Sequence, residues 1–291
     1  MRKPQKLIIF ALLAFFLIGI PVLADPPVVP KADRKALDRS FAVGEKLTFS
    51  LTWMGIRGGT ATLEVKEVVR LNGREAYRII STARTTPFFS TFFRVEDRVE
   101  TFLEAAELYS MRFEKHLREG RYRHDSVTVF DQKRLMANYR YVDHGRRKEE
   151  ASVNPLEYNQ GQDYPIPPRV QDELSSFYFY RTQKIIPGTK TFVETFASKK
   201  NWQVEVRAIK REVVETPAGT FNTILIEPLL KFEGIFQRKG KVYIWLTDDE
   251  YKIPVMLKSK IVIGSIYATL IEKVLPQVKG PLSSEIPEKR D

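Results

Sequence analysis

The sequence predicts an all-β, mainly antiparallel fold: a curved sheet or half-open β-barrel of about 12 to 14 strands, with one amphipathic helix near residues 169–183. Three observations carry this. From about Phe41 to Leu275, apolar and polar residues alternate with period two in runs rich in Val, Ile, Thr, Tyr and Phe, which suit a pleated, half-buried surface. The runs are cut by short turns such as Asn72-Gly73 and Gly264-Ser265, the chemistry of tight hairpins. One stretch breaks the pattern. "NPLEYNQGQDYPIPPRV" is too rich in Pro, Gly and Asn for a strand, and in the following "QDELSSFYFYRTQ" Val170, Leu174, Phe177, Tyr178 and Arg181 fall at helical spacing before Pro187. A lone helix between two β groups suits the role of a plug in a concave sheet.

The chain opens with Arg2, Lys3 and Lys6, an apolar run from Leu7 to Ile20 and small residues up to Ala24, the grammar of a signal peptide over residues 1–24. The apolar run has 14 residues, short of the roughly 20 a membrane-spanning helix needs, so no transmembrane segment is expected after cleavage. Residues 25–40, with "DPPVVPK", predict an extended arm. Residues 41–275 form the antiparallel domain, as β groups at about 41–153 and 189–275 joined by the loop and helix of 154–188. The Pro- and charge-rich 276–291 reads as a mobile tail. The chain has no cysteine, so a core and not disulfides must stabilise it, and the expected location is periplasmic.

Hairpin registers follow from the turns. A turn at Gly264-Ser265 sets Ile263 against Ile266 and Val255 against Val274, with Leu257 opposite Glu272 as the one mismatch. Asn72-Gly73 sets Val69 against Ala76, Val65 against Ile80 and Glu67 against Arg78 as a charge pair. In "TWMGIRGGTATLEV" the glycines beside an arginine resemble a phosphate loop, but a strand and not a helix follows. A three-residue loop at Arg57-Gly58-Gly59 sets Trp53 against Leu63, with Phe49 opposite Glu67 as the mismatch. It makes Arg57 a candidate contact at a hairpin tip and Gly55 a bulge or close approach. "REGR" (118–121), "VDHGRR" (142–147) and "SKKNW" (198–202) supply further turns.

No catalytic constellation is evident. A turn at Glu119-Gly120 puts His116 and His124 on opposite faces, and His144 lies in an exposed turn, so no metal site is expected and no cofactor is implied. No GxSxG elbow exists. In "RVEDRVE", Glu96 and Asp97 fall on opposite faces as alternating surface charge, and Asp248 and Asp249 suit a turn. Such acids leave a glycan hydrolase as the third reading. "TTPFFSTFFRVED" is more suggestive: Phe88, Phe89, Phe92 and Phe93, together with Leu174, Phe177 and Tyr178, are candidates to line or lid an apolar cavity.

Blocks such as "VGEKLTFSLTWMGIRGGTATLEV", "TPFFSTFFRVEDRVETFLE", "VQDELSSFYFYRT", "VETPAGTFNTILIEP" and "IWLTDDEYKIPVMLKSKIVIGSIYATL", in order from about Phe41 to Val274, resemble the bacterial family called domain of unknown function 3108. The resemblance implies an exported, mostly antiparallel β protein and carries no established activity, ligand or catalytic residue. By architecture it is similar to periplasmic lipoprotein carriers, whose half-open barrels with helical plugs bind acyl chains. Removal of residues 1–24 lowers the net charge from +11 to +8 over 267 residues, which favours anionic partners. Export and the lack of a basic stripe interleaved with aromatics argue against nucleic acid. The leading expectation is an exported, non-enzymatic protein that binds a lipid or another amphipathic envelope molecule in the concavity. The alternative is a structural or assembly factor that binds an envelope protein or glycan through sheet edges and basic surface.

Overall fold

A computed structural model describes residues 40–144, 161–229, 241–261 and 263–276. The expected signal peptide, residues 25–39 of the arm, part of the central loop and the tail from residue 277 lie outside the described residues. Among these described residues, period-two alternation is realised as fourteen strands. The first eight are β1 (Lys46–Trp53), β2 (Ile56–Leu71), β3 (Arg74–Thr85), β4 (Glu96–Glu104), β5 (Ser110–Glu119), β6 (Tyr122–Asp131), β7 (Met136–Asp143) and β8 (Gln162–Pro165). The return half is β9 (Lys190–Ala197), β10 (Lys200–Thr216), β11 (Gly219–Leu229), β12 (Val242–Thr247), β13 (Pro254–Lys260) and β14 (Ser265–Val274). Two short helices interrupt them, α1 (Pro87–Ser90) and α2 (Ser175–Arg181). The predicted helix of 169–183 is thus one seven-residue core preceded by turns.

The two β groups form one continuous antiparallel sheet, in the order β8-β7-β6-β5-β4-β3-β2-β1-β14-β13-β12-β11-β10-β9. The ladder does not close, because β8 and β9 are not paired. The connection leaving β8 covers the gap: Gln171 bridges Thr195 of β9, Asn201 donates to the Pro165 carbonyl at 2.7 Å, and Ser110 N donates to the Val170 carbonyl at 3.1 Å. Phe130 of β6 and Phe196 of β9 meet edge-to-face at 5.9 Å across the same gap. Edge strands with unpaired backbone invite aggregation, and here the chain blunts them itself.

The sheet's inward residues and all seven residues of α2 are buried. Arg181, at the C-terminal end of α2, is fully buried against fully buried Glu45, which precedes β1. Its guanidinium nitrogens reach the two Glu45 oxygens at 2.7 Å each and donate to the carbonyls of Ser40 (2.5 Å) and Tyr251 (2.9 Å). Ser40 Oγ donates back to the Arg181 carbonyl, and the guanidinium lies 5.1 Å from the Tyr178 ring centre and 5.8 Å from that of Phe41. Ser40, assigned by sequence to an extended arm, is therefore buried and pinned. A buried pair of this kind is tolerable only when its donors and acceptors are satisfied, which the bidentate geometry achieves.

Two registers differ from expectation for one reason, the position of the turn. Met54 (φ 51°) and Gly55 (φ 80°) form the β1–β2 tip, both in the left-handed region that tight hairpin turns require. Leu47 then pairs with Leu63 and Phe49 with Ala61, and a bulge falls between Leu51 and Thr52. Gly55 is the turn, not the close approach. That role belongs to Gly59, where a Cβ would sit 2.4 Å from the Arg84 carbonyl oxygen. Likewise the β13–β14 connection is residues 261–264, so Leu257 pairs with Ala268 and Ser259 with Ile266. In both hairpins the lone apolar–acid mismatch disappears. The Asn72-Gly73 hairpin is as expected from Glu67–Arg78 outward, with those side chains 2.8 Å apart, but a bulge shifts Val65 to Ile79.

Truncating either partner of the buried pair, Glu45→Ala or Arg181→Ala, is expected to cost about 3–5 kcal/mol in urea unfolding, and the double variant Glu45→Leu/Arg181→Met less than the sum. Gly59→Ala, which meets backbone and not a flexible side chain, is expected to cost about 2 kcal/mol or more in the same measurement.

Candidate functional site

Beneath α2, the middle of the sheet leaves an apolar cleft. Its walls are Phe49 of β1, Leu63 of β2, Val99 of β4, Phe113 of β5 and Leu257 of β13. Small residues, Ala61, Ser81 and Ala268, form the floor where larger ones would fill the space, and Leu174 and Phe177 close it from above. The cleft holds about 620 Å³ of empty space counted out to its solvent mouth, but it is narrow, with about 50 Å³ open to the centre of a water molecule. The shape of the space is that of a slot.

Two adjacent buried carboxylates set the roof. Asp172 accepts from Thr101 Oγ1 and Ser110 Oγ at 2.5 Å each, and from the backbone amides of Leu174 and Ser175 at 2.8 Å each. Burial pushes its pKa up, and these donors oppose that shift. The same contacts satisfy orphan amides at the start of α2 and tie it to β4 and β5. Glu173, in the cleft wall, lies 2.6 and 2.5 Å from Lys115 Nζ through its two oxygens. Burial raises its pKa too, with Lys115 pulling the other way. Among the described residues, the only ionisable one lining the cleft is therefore already engaged by a cation. Apart from that ion pair, the lining is mainly apolar.

The residues singled out by sequence separate into three places. Leu174 and Phe177 line the cleft. Tyr178 is fully buried on the other side of α2, edge-on to Phe41 at 5.1 Å and beside Arg181. Phe88, Phe89, Phe92 and Phe93 are not in the lining; they sit on α1 and its exit at one end of the sheet, with Phe88 66% and Phe92 76% exposed. Arg57 is exposed in β2, paired with Thr52 and two residues beyond the tip, where it donates to Thr60 Oγ1 at 3.3 Å. Glu173, Lys115 and Asp172 escaped notice, although an acidic pair beside an apolar helical stripe in "QDELSSFYFYR" is their signal.

The histidines and acids also need correction. His116 pairs with Asp125, because the β5–β6 turn is Gly120-Arg121, and His124 does lie on the opposite face. His144 is not exposed: its Nε2 is 2.5 Å from Asp125 Oδ2, only 13% of its side chain is exposed, and the fully buried Asp125 also meets His116 (2.7 Å) and Arg118 (2.8 Å). Hydrogen bonds that His116 donates to the Asp125 and Glu114 carboxylates raise its pKa to about 9 against the effect of burial. Among the described residues no group of three or more His, Asp or Glu is placed to hold a metal. Asp97 is not surface charge but 4% exposed, accepting from Arg118 N at 2.8 Å. Asp248 pairs with Arg211, and Asp249 accepts from the amides of Tyr251 and Lys252, the turn role expected of it.

Burial raises the Asp97 pKa from 3.8 to about 6, opposed by hydrogen bonds from Arg118 N and Glu119. Since the folded state holds this proton more tightly than the unfolded chain, its stabilisation is present at low pH and declines as pH rises from about 4 to about 6. Asp97→Asn, which mimics the protonated acid, is expected to abolish that decline and to raise stability at pH 7.5 by about 1–3 kcal/mol in urea titrations.

Several solved structures align with this chain at low identity. A β-barrel-like protein of domain of unknown function DUF1849 from Brucella abortus aligns with a TM-score of 0.49 and 10% identity, covering 81% of this chain and 99% of that one. A protein with YmcC-like fold from Bacteroides fragilis gives 0.34 and 10%, over 80% and 97% of the two chains. The hypothetical protein CT021 from Chlamydia trachomatis gives 0.37 and 6%, over 86% and 94%. Among curated proteins none matches. The family model described as "Protein of unknown function (DUF3108)" matches residues 48–271, from the early part of β1 into β14, and the chain belongs to that family.

Proposed function

We propose that this protein is an exported, non-enzymatic binder of a lipid or other amphipathic cell-envelope molecule, whose apolar chain enters the slot beneath α2. The observation that carries this reading is the lining: apolar walls on five strands, a floor of small residues and a helical roof. The narrowness favours an extended methylene chain over a fused ring system. With Glu173 held by Lys115, no acid or base in the lining is poised for catalysis, which supports binding over hydrolysis. The sheet edges give the assembly-factor reading less support, because β8 is four residues long and Gln171 already bridges β9.

Native mass spectrometry of the gently purified protein is expected to show lipid-sized adducts, and a fluorescent fatty acid is expected to bind. Filling the floor with Ala61→Leu or Ala268→Phe should weaken that uptake by about tenfold or more, equivalent to about 1.4 kcal/mol, with circular dichroism unchanged. A clean unliganded mass together with no fatty-acid uptake would refute the proposal.

A further inference from the structure

Six large apolar side chains among the described residues are more than 55% exposed: Met54 (65%), Ile56 (57%), Phe88 (66%), Phe92 (76%), Val213 (61%) and Ile263 (63%). All but Val213 project from one end of the sheet, where the β1–β2, β3–β4 and β13–β14 connections lie. These tips are fastened to one another. Trp53 Nε1 donates to the Ile263 carbonyl at 3.0 Å, and a Cβ on Gly264 would lie 3.6 Å from Met54 Cγ. Thr86 N donates to the Gly58 carbonyl at 2.9 Å, and Gly120 N to the Arg94 carbonyl at 2.7 Å. The aromatic pair Phe88 and Phe92 is organised, with ring centres 5.5 Å apart, on a one-turn helix that starts at Thr86 and Pro87.

The charge around these tips has one dominant sign. Arg57, Arg84, Arg94, Arg121 and Lys260 are exposed there. The nearby acids are Glu96, which is 2.5 Å from Arg94, and half-buried Glu119. Exposed aromatic and aliphatic tips are costly in water and mark contact surfaces, and aromatic rings beside arginines suit the boundary between headgroups and acyl chains. The tips stand on separate hairpins. The cationic surround complements a negative surface.

We infer that this end of the sheet docks on an anionic phospholipid bilayer, with Phe88 and Phe92 entering the headgroup region and Arg57, Arg84, Arg94, Arg121 and Lys260 meeting lipid phosphates. Docking is independent of what occupies the slot, since neither phenylalanine lines it. It explains why a four-phenylalanine cluster lies away from the core.

The test is sedimentation of the purified protein with large vesicles of phosphatidylcholine alone or phosphatidylcholine with phosphatidylglycerol. Wild type is expected to co-sediment with the anionic vesicles only, less so at high salt. Phe88→Ser/Phe92→Ser and Arg57→Glu/Arg84→Glu should each weaken binding by about tenfold. Lys133→Glu/Arg134→Glu, which changes exposed cations at the opposite end, should leave it unchanged. Brominated acyl chains should quench Trp53, half-buried at the docking end, more than fully buried Trp202. No co-sedimentation of wild type, retained binding by the phenylalanine variant, or equal loss in the opposite-end variant would each overturn the inference. Matching thermal unfolding of the variants excludes misfolding as the cause of any loss.

Discussion

Arg181 places a permanent positive charge in the apolar interior, and the surrounding chain is arranged to meet it. Glu45 comes from the segment before β1, the Ser40 carbonyl from five residues earlier, and the Tyr251 carbonyl from the connection between β12 and β13. Two remote parts of the chain thus converge on one guanidinium at the end of the helix that joins the two halves. A neutral residue there would leave Glu45 buried without its partner, a larger loss than the pair's own net worth. The pair is better understood as specifying where the helix ends than as a source of stability. The planar fork of arginine can satisfy a carboxylate and two carbonyls at once, which lysine could not do with the same geometry.

Fixing that end leaves the other to Asp172, and between them α2 is suspended over the sheet. Asp172 joins the start of the helix to β4 and β5 through Thr101 and Ser110. A seven-residue helix held at both ends cannot settle onto the small residues Ala61, Ser81 and Ala268, so the slot persists as a consequence of anchoring. The proposed binding function follows from this mechanical arrangement. Polar interactions hold the roof, leaving apolar side chains free to line the space rather than to fill it. The rim is a separate device, since its phenylalanines face outward and contribute nothing to the slot.

In the β1–β2 and β13–β14 hairpins the face of each strand was legible from the sequence, while the partner within that face was not. A hairpin displaced by an even number of residues keeps every side chain on its predicted side, so Leu257 points inward whether it meets Glu272 or Ala268. Bulges such as that between Leu51 and Thr52 are invisible in the alternation. Three glycines near one turn could be assigned in several ways, and only the close approach of Gly59 to Arg84 separates the turn glycine from the packing glycine. Phe88, Phe89, Phe92 and Phe93 were legible as a cluster but not by direction, because composition does not say which way a loop faces. The site residues Glu173 and Lys115 are 58 positions apart, and Arg181 and Glu45 are 136 apart. No local pattern links such pairs.

The order of strands has a consequence for how the chain reaches this state. Every neighbouring pair but one is a hairpin or local meander; the exception joins β1 to β14, with Lys46 opposite Val274 at the centre of the sheet. Each half can zip from its own turns at small loop-closure cost, but the central seam requires the last strand to find the first. Until then both seam strands expose unpaired backbone, and the slot lacks β13 and β14. The slot is therefore complete only when the β1–β14 seam is formed, since its lining is drawn from both sides of that seam.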